Sequence, residues 1–557
     1  MAKKRKSVPP PTPKKEVEPQ IDISQSQAVK KGLEVEIGDF KFEAVPKGFK
    51  KELVADTSVK RFHGSRLLFS WLPQEFFNNN TDRFGYLFPN LRRSALPFKT
   101  ENRKLLEALG DEMGNKDDVA GLGDSEIPAG YTYLGQFIDH DITLDVNSDI
   151  SKAQDAAKIP NMRSPSLELD AVYGDGPALD AFLYDHRPAQ PLKGVKLLLG
   201  KNRDSGPGGP SLKNGNFGNP ALVGNNFDVQ RTSDFTAIIG DFRNDENLIV
   251  SQLHHAFIKF HNKVADHLNT AGFTNDPFTQ TKTTVTHHYQ WIVIHDFLKR
   301  IADPNIVNKT LASGPKFFKG KFFMPVEFSV AAYRFGHSMI RNDYFINAPL
   351  TARPATLKQV FDFIRIDLLP VLSNWVVDFN LYFPGRPVPA GVSLNVARKI
   401  DTRLALGLEQ LPGESGNFMT MLAKRNLVRG LALGVPSGQA VAKAIGAIPL
   451  SETELQQNNT TEENKILNAS NKLLLAKTPL WYYILKEAEV KEQGKRLGTV
   501  GSTILAETFV RILKEDSNSF LHATPKFKPN LPRFGGRPVG DFDMTDLLHF
   551  AGVLTLD

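Results

Sequence analysis

Four polar residues in the segment 131–142 are the residues of this chain best suited to chemistry. They are Gln136, Asp139, His140 and Asp141. If the segment is helical, Gln136 and His140 share one face at a spacing of i, i+4, while the two aspartates diverge to either side. A lone histidine is more often structural than catalytic, but an imidazole with a pKa of about 6.5 can move protons at neutral pH. The segment therefore predicts proton transfer if partner residues are found elsewhere in the chain.

Three later segments contain such partners. Arg243 and Glu246 precede an amphipathic run that predicts a buried helix, which places both residues near its N-terminal end. His337 follows a glycine, which leaves room for a flat group to approach the imidazole. Asn426 and Arg429 place an amide and a cation at i, i+3.

These four segments, in this order, resemble the animal-type haem peroxidases of the peroxidase–cyclooxygenase superfamily, in particular its bacterial branch. The resemblance extends from about residue 62 to about residue 550. It implies a mainly α fold, with a single large haem peroxidase domain that has few short strands and long loops. We expect this catalytic domain at 41–557, after a basic, proline-rich and disordered tail at 1–40.

The resemblance implies a role for each residue on the distal side of a haem b. His140 is expected to be the distal histidine, Gln136 the distal amide and Arg243 the distal arginine. Asp139 and Glu246 match the two carboxylates that form ester bonds with haem methyl groups. Such bonds would remove two negative charges that are costly beside a porphyrin edge.

On the proximal side the resemblance implies that His337 is the axial ligand of the haem iron. Asn426 would accept the hydrogen bond from the other ring nitrogen of that histidine. Arg334 and Arg429 match the arginines that pair with the haem propionates. Asn247 stands where some relatives have a methionine bonded to haem, so a sulfonium link is excluded.

A fifth segment resembles the calcium loop of this family. Its alternating oxygen donors are Ser164, Ser166, Glu168 and Asp170, and Asp141 would complete the site. A hard cation takes six to eight oxygen ligands and tolerates irregular geometry. Because Asp141 adjoins the distal histidine in sequence, the ion would hold that imidazole in place. The alternative is a polar loop that closes onto a helix.

The expected function is that of a peroxidase that reduces hydrogen peroxide through an oxoferryl intermediate and oxidises halides or small organic donors. The alternative is a fatty-acid dioxygenase, which needs a radical tyrosine three residues before the proximal histidine. That position is Arg334, and the neighbouring Tyr333 is predicted to face another direction on a helix. A degenerate haem-binding or adhesion module is a third possibility, but it would be expected to have lost some of the distal and proximal residues.

Composition limits the other function classes. The chain has no cysteine in 557 residues and a formal net charge of +7 without a basic stripe beyond the tail. We therefore expect no disulfides and no nucleic-acid partner. No apolar stretch follows the basic N-terminus, and none is long enough to span a membrane. We expect a cytoplasmic enzyme, or one secreted by a route independent of a signal peptide. The electron donor and the oligomeric state stay open.

Apolar periodicity predicts helices at 101–112, 251–268, 282–302, 326–341, 416–425, 464–475, 478–492 and 501–515. The stretch 203–227, rich in Gly, Asn and Pro, is typical of a long surface loop. Two groups of histidines could be mistaken for metal sites: His254, His255 and His261, and His287, His288 and His295. Adjacent helical histidines point about 100° apart, so both groups are assigned to helix packing.

Overall fold

The structure of the chain is a computed structural model that describes most residues after position 82. The described ranges are 83–114, 121–145, 148–203, 226–347, 354–363, 369–385, 388, 393–409, 411 and 420–554, with the backbone of an antiparallel pair, β1 (Val35–Ile37) and β2 (Phe40–Phe42). Apart from this pair, the predicted tail at 1–40 lies outside the described residues, as does most of the predicted loop at 203–227.

Strands are few and short, as the sequence predicts. In the described ranges β3 (Phe84–Gly85) pairs in parallel with β5 (Met324–Pro325), while β4 (Asp124–Pro128) pairs antiparallel with β8 (Val396–Arg398), and β6 (Asp343–Tyr344) pairs antiparallel with β7 (Ala355–Thr356). Each of these sheets has two strands, so the fold depends on helix packing.

Helices form most of the described structure, which confirms the mainly α prediction. They are α1 (Thr100–Met113), α2 (Gly130–Ile142), α3 (Asp170–Tyr173), α4 (Leu248–Ala271), α5 (Pro277–Ile292), α6 (Leu298–Ile301), α7 (Pro304–Ser313), α8 (Leu357–Asp362), α9 (Leu422–Ala432), α10 (Gly438–Ile445), α11 (Glu452–Leu455), α12 (Thr461–Ala476), α13 (Leu480–Glu492), α14 (Thr499–Glu515) and α15 (Met544–Phe550). No helix in the described ranges is both long enough and apolar enough to cross a membrane.

Side-chain caps explain where several of these helices begin. Asn247 precedes α4, and its side chain accepts a hydrogen bond from the Val250 N–H at 3.0 Å. Asp276 caps α5 in the same way, with Pro277 in the first turn. Such a side-chain oxygen satisfies a backbone N–H that has no partner within the helix, and a cap of this kind contributes about 1 kcal/mol.

The predicted helix at 326–341 was wrong in type. This segment is a π turn over Glu327–Ala331 followed by a 3₁₀ helix over Ala332–Met339. The predicted helix at 416–425 was misplaced, since α9 begins at Leu422 and continues to Ala432. Apolar periodicity does not separate these helix types over segments as short as five and eight residues.

Helices α2 and α4 pack against each other, and α2 also contacts the 3₁₀ helix over Ala332–Met339. The rings of Phe137 and Phe257 stack at 4.4 Å between α2 and α4. Gly130 at the start of α2 permits the approach of another segment, because a Cβ there would meet Phe383 at 2.3 Å. This packing places the polar residues of α2 beside the segment that contains His337.

Candidate functional site

A cavity of about 370 Å³ lies where these elements meet. Helix α2 and the 3₁₀ turn over Phe242–Asp245 line one part of it, and the 3₁₀ helix over Ala332–Met339 and α9 line another. Nine of the predicted site residues line this cavity, namely Gln136, Asp139, His140, Arg243, Glu246, Arg334, His337, Asn426 and Arg429. The fold thus brings together residues separated by almost 300 positions.

His140 is buried on α2, and its ring has one fixed partner. Nδ1 lies 2.9 Å from Oδ1 of Asn244, which leaves Nε2 as the nitrogen available to the cavity. Burial and the nearby Arg243 guanidinium lower the pKa of His140 to about 4. A neutral imidazole with a free Nε2 can accept a proton from a molecule in the cavity.

Arg243 is held in place by a carboxylate and a carbonyl. Its Nη2 donates to Asp241 Oδ2 at 2.7 Å and to the His140 carbonyl oxygen at 2.8 Å, and its Nε donates to Asp241 Oδ1 at 3.1 Å. Burial opposes ionisation of Asp241, but Arg243 and Arg163 hold the pKa of this carboxyl well below its usual range. Arg243 therefore has a buried anionic partner.

Gln136 lines the cavity one helical turn before His140, as its spacing predicts. Its Oε1 accepts a hydrogen bond from Asn247 Nδ2 at 3.2 Å, while Oδ1 of Asn247 caps α4. Asn247 therefore orients the amide, and in the described part of the chain the Gln136 Nε2 group donates no hydrogen bond.

The two predicted ester-forming carboxylates differ in ionisation. Burial would raise the pKa of Asp139, but Arg334, His140 and Arg243 together hold that pKa below its ordinary value. Burial raises the pKa of Glu246 to about 7, and Arg243 opposes this rise only in part. The two carboxyl groups thus differ, because the pKa of Asp139 is lowered whereas the pKa of Glu246 lies near neutral pH.

His337 lies on the 3₁₀ helix with its Nδ1 2.8 Å from the side-chain amide of Asn426. The amide nitrogen faces Nδ1, whereas the sequence predicts an amide oxygen that accepts from an Nδ1–H group. A half rotation of the amide exchanges the two atoms without moving either residue. Burial and Arg334 lower the pKa of His337 to about 3, so the imidazole is neutral and can act as a ligand.

The two arginines predicted to bind propionates have protein partners in this structure. Nη1 of Arg334 lies 3.6 Å from Asp139 Oδ2, and Nη2 of Arg429 lies 2.8 Å from Asp145 Oδ2. The Nε atom of Arg429 is buried without a hydrogen-bond partner. Both guanidinium groups line the cavity, and the unused donor of Arg429 indicates capacity for a further acceptor.

The predicted calcium loop lies beside α2 but is only partly arranged for a cation. The Oδ1 atoms of Asp141 and Asp170 are buried without hydrogen-bond partners, and burial raises the pKa of both groups. Asp170 Oδ2, however, pairs with Arg163 at 3.2 Å, and Ser166 donates to Asp516. Ser164 and Glu168 are partly exposed. Within the described ranges no cluster of three or more His, Cys, Asp or Glu side chains is arranged to hold a metal.

Four polar residues near the cavity were not identified as site residues from the sequence. Asp241 and Asn244 flank Arg243 within a segment that was singled out, and only their side-chain contacts distinguish them from loop residues. Arg163 precedes the predicted calcium loop and contacts both Asp241 and Asp170. His254 was assigned to helix packing, but Asn244 links it to His140.

Of the other five histidines in the two groups, four bind backbone carbonyl oxygens, and the fifth, His295, lies 3.3 Å from the amine of Lys299. His255, His261, His287 and His288 each contact a backbone carbonyl oxygen through a ring nitrogen, at distances of 2.7 to 2.9 Å. Such contacts are typical of histidines that hold helices to loops, and they agree with the packing interpretation for these four residues.

Several known proteins resemble this chain. Peroxinectin A of Dictyostelium discoideum is 23% identical over 300 residues, which is 52% of this chain and 51% of that protein. A peroxidase-like protein of Margaritifera margaritifera is 30% identical over 112 residues, or 18% of this chain and 14% of that protein. The chain thus spans about half or less of the length of these relatives.

Solved structures show the same fold at low identity. Peroxidase A from Dictyostelium discoideum superposes with a TM-score of 0.58 at 16% identity, over 85% of this chain and 94% of that one. A fatty acid alpha-dioxygenase of Oryza sativa follows with 0.51 at 13% identity, over 76% and 74%. The family model of the animal haem peroxidases matches residues 196–526, which is more than half of the chain. The chain belongs to the animal haem peroxidase family.

Proposed function

We propose that this chain is a haem peroxidase that uses hydrogen peroxide to oxidise halides or small organic donors. One observation carries the proposal, namely that His140, Arg243 and His337 open into a single cavity. A proton acceptor, a fixed positive charge and a neutral imidazole ligand are the groups that peroxide cleavage at a haem requires.

The cavity residues fit a haem. His337 would ligate the iron, Asn426 would hold the imidazole, and Arg334 and Arg429 would bind the propionates. A methyl group placed on Gly336 would meet no atom within 4 Å, so there is open space beside the ligand. When bound, the haem supplies a redox-active iron at which the O–O bond of peroxide breaks.

His140 and Arg243 would have different roles on the distal side, namely proton transfer and charge stabilisation. Nε2 of His140 would accept a proton from one oxygen of the peroxide and would return it to the other oxygen as that oxygen departs. Arg243 stays charged and stabilises the negative charge that develops during cleavage. Gln136 offers an amide near His140 that can orient water or a halide.

Stopped-flow mixing of haem-loaded protein with peroxide tests these roles. His140→Ala and Arg243→Ala should each slow the reaction by about 10² to 10⁴ while haem stays bound. His186→Ala alters an exposed histidine outside the cavity and should react as the parent does. A His140→Ala variant as fast as the parent would rule out the proton-transfer role.

We propose further that Asp139 and Glu246 attach the haem by ester bonds. Both carboxylates line the cavity, and they are the positions that match the family's ester-forming residues. Burial raises the pKa of Glu246 to about 7, and its neutral form is less costly to bury beside an apolar macrocycle than its ionised form.

We also propose that Asp141 and Asp170 bind a calcium ion, on the basis of one oxygen atom from each side chain. The partnerless Oδ1 atoms of Asp141 and Asp170 could act as ligands of the ion, but Arg163 already compensates part of the negative charge. We expect metal analysis of protein purified in calcium to find one ion per chain, and Asp141→Asn to abolish it. If metal analysis finds no calcium in the parent protein, Arg163 has taken the place of the ion.

Fatty-acid dioxygenation is the second candidate, and Tyr333 is the observation that favours it. The sequence predicts that Tyr333 faces away, but this residue lines the cavity and its buried hydroxyl has no hydrogen-bond partner. Arg334 nevertheless occupies the position expected for a radical tyrosine. Tyr333 is also packed among Phe297, Phe328 and Phe509, which is typical of a core residue.

A further inference from the structure

Asn244 connects the distal histidine to a second buried histidine. Its Oδ1 lies 2.9 Å from Nδ1 of His140, and its Nδ2 lies 3.0 Å from Nδ1 of His254. Asn244 and His254 are fully buried, and His140 is nearly so. The three side chains form a continuous chain of hydrogen bonds from the cavity to His254 on α4.

The orientation of the Asn244 amide determines where the proton of His140 resides. A carbonyl oxygen can only accept, so Nδ1 of His140 must carry the proton when Oδ1 faces it. Nε2 is then unprotonated and open to the cavity. If the amide were rotated by half a turn, its N–H would face Nδ1, and the proton of a neutral His140 would move to Nε2. That tautomer could not accept a proton from the cavity.

His254 is the second partner of the Asn244 amide in the productive orientation. Its Nδ1 faces the amide N–H of Asn244 and must therefore be an acceptor, which requires a neutral ring. Burial lowers the pKa of His254 to about 4, which agrees with a neutral ring at neutral pH. The rings of His254 and Phe137 also pack edge to face with their centroids 6.2 Å apart, which restrains the imidazole.

The backbone fixes the position of Asn244 independently of these contacts. Asn244 lies in the 3₁₀ turn Phe242–Asp245, and its N–H donates to the Asp241 carbonyl at 3.0 Å. The side chain of Asp241 caps the same turn through the N–H of Arg243. The turn that holds the distal arginine therefore also holds the amide that contacts the distal histidine.

We propose that Asn244 and His254 are positioning residues that keep His140 in the tautomer with the proton on Nδ1 and with Nε2 free toward the cavity. This inference rests on the proposed role of His140 as the proton acceptor. Asn244 acts directly on His140, and His254 acts through Asn244 by preventing rotation of the amide.

Ligand binding to the haem-loaded protein separates positioning from structural damage. Hydrogen cyanide must lose its proton to bind ferric haem, whereas carbon monoxide binds ferrous haem without proton transfer. Asn244→Leu should slow cyanide association by about 10² or more and leave carbon monoxide association unchanged. Asn244→Asp keeps an acceptor for Nδ1–H and should restore most of the cyanide rate. Equal slowing of both ligands, or unchanged cyanide binding in Asn244→Leu, would overturn the proposal.

The role of His254 is tested by a double-mutant cycle. His254→Phe should slow cyanide binding less than Asn244→Leu does, because the amide can still adopt the productive orientation part of the time. The double variant should be no slower than Asn244→Leu alone, since the two residues act in series. If the rate losses add up in the double variant, or if His254→Phe binds cyanide at the parental rate, His254 does not act through Asn244.

The tautomer itself can be observed by nitrogen NMR of histidine-labelled protein in the diamagnetic carbon monoxide complex. The His140 signals are assigned by their absence in His140→Gln. Protonation at Nδ1 is expected in the parent, and protonation at Nε2 would overturn the proposal. A separate result would show that the proposed function itself fails. In that case His140→Ala would bind cyanide as fast as the parent protein, whichever tautomer His140 adopts.

Discussion

Asp241 binds the guanidinium of Arg243 through both carboxylate oxygens, with Nη2 to Oδ2 at 2.7 Å and Nε to Oδ1 at 3.1 Å. The same carboxylate accepts a hydrogen bond from Arg163 Nε at 2.8 Å. One buried anion thus lies between two cations, and Arg163 continues the connection to Asp170. Arg243 is thereby linked to the loop that was predicted to bind calcium.

Asp241→Asn should both destabilise the protein and slow its reaction with peroxide. Two guanidinium groups would lose their shared anion, and breaking a buried ion pair costs about 3–5 kcal/mol. Urea unfolding measures the free energy of unfolding, and stopped-flow mixing measures the rate. Asp185→Asn is the control, because it breaks an ion pair with the exposed Arg187 and should cost less than about 1 kcal/mol. Equal losses in both variants would show that Asp241 has no special role.

His337→Ala should abolish normal haem incorporation. This variant removes the imidazole that lines the cavity beside the open space at Gly336. The haem content per chain and the absorption spectrum are the measurements, with the exposed His186→Ala as the matched control. A parental haem content and spectrum in His337→Ala would show that another residue is the ligand.

Asp139→Ala and Glu246→Ala should each leave one covalent bond to the haem after treatment with peroxide. The double variant should release all of its haem on denaturation. Mass spectrometry under denaturing conditions distinguishes these states. Complete release of haem from the peroxide-treated parent protein would contradict the ester bonds without affecting the assignment of His337.

Glu327 should make the haem-free protein less stable as the pH rises from about 5 to 7. Its buried carboxyl accepts hydrogen bonds from the N–H groups of Leu87 and Phe88, and burial raises its pKa from 4.5 to about 7. Between these values the folded chain retains a proton that the unfolded chain has lost, so stability falls as pH rises. The contribution is of the order of 3 kcal/mol.

Glu327→Gln should remove this part of the pH dependence. Urea unfolding at pH 5 and at pH 7 measures the difference in the free energy of unfolding for both proteins. Glu101→Gln, which changes an exposed carboxylate at the start of α1, is the control. The same slope in the parent and in Glu327→Gln would mean that Glu327 is ionised in the folded protein across this range.

Local motifs made the site residues predictable, but not the contacts between them. His140, Arg243 and His337 each lie in a segment whose residue types and spacing identify them. The partners depend on tertiary contacts between distant segments, as between His140 and Asn244, which are 104 positions apart. An aspartate such as Asp241 has no local signal that separates a buried ion pair from a turn cap.

For the fold, the positions of the long helices were predictable, but the type of one important helix was not. Strong periodicity predicted α1, α4, α13 and α14 to within a few residues. The segment with His337 was predicted as an α-helix, but its hydrogen bonds follow π and 3₁₀ patterns. This difference depends on how the segment packs against α2 and α13, which a single-sequence pattern does not contain.

The most direct test of the central claim is the comparison of two reactions with haem-loaded protein. One sample receives iodide, bromide or a phenol with stoichiometric hydrogen peroxide, and the other receives linoleate with oxygen and a trace of peroxide. The proposed peroxidase should oxidise iodide at a rate that depends on peroxide and on His140, and should consume little oxygen with linoleate. Rapid oxygen uptake with a regiospecific lipid hydroperoxide, and no peroxide-dependent oxidation of halide or phenol, would contradict the account.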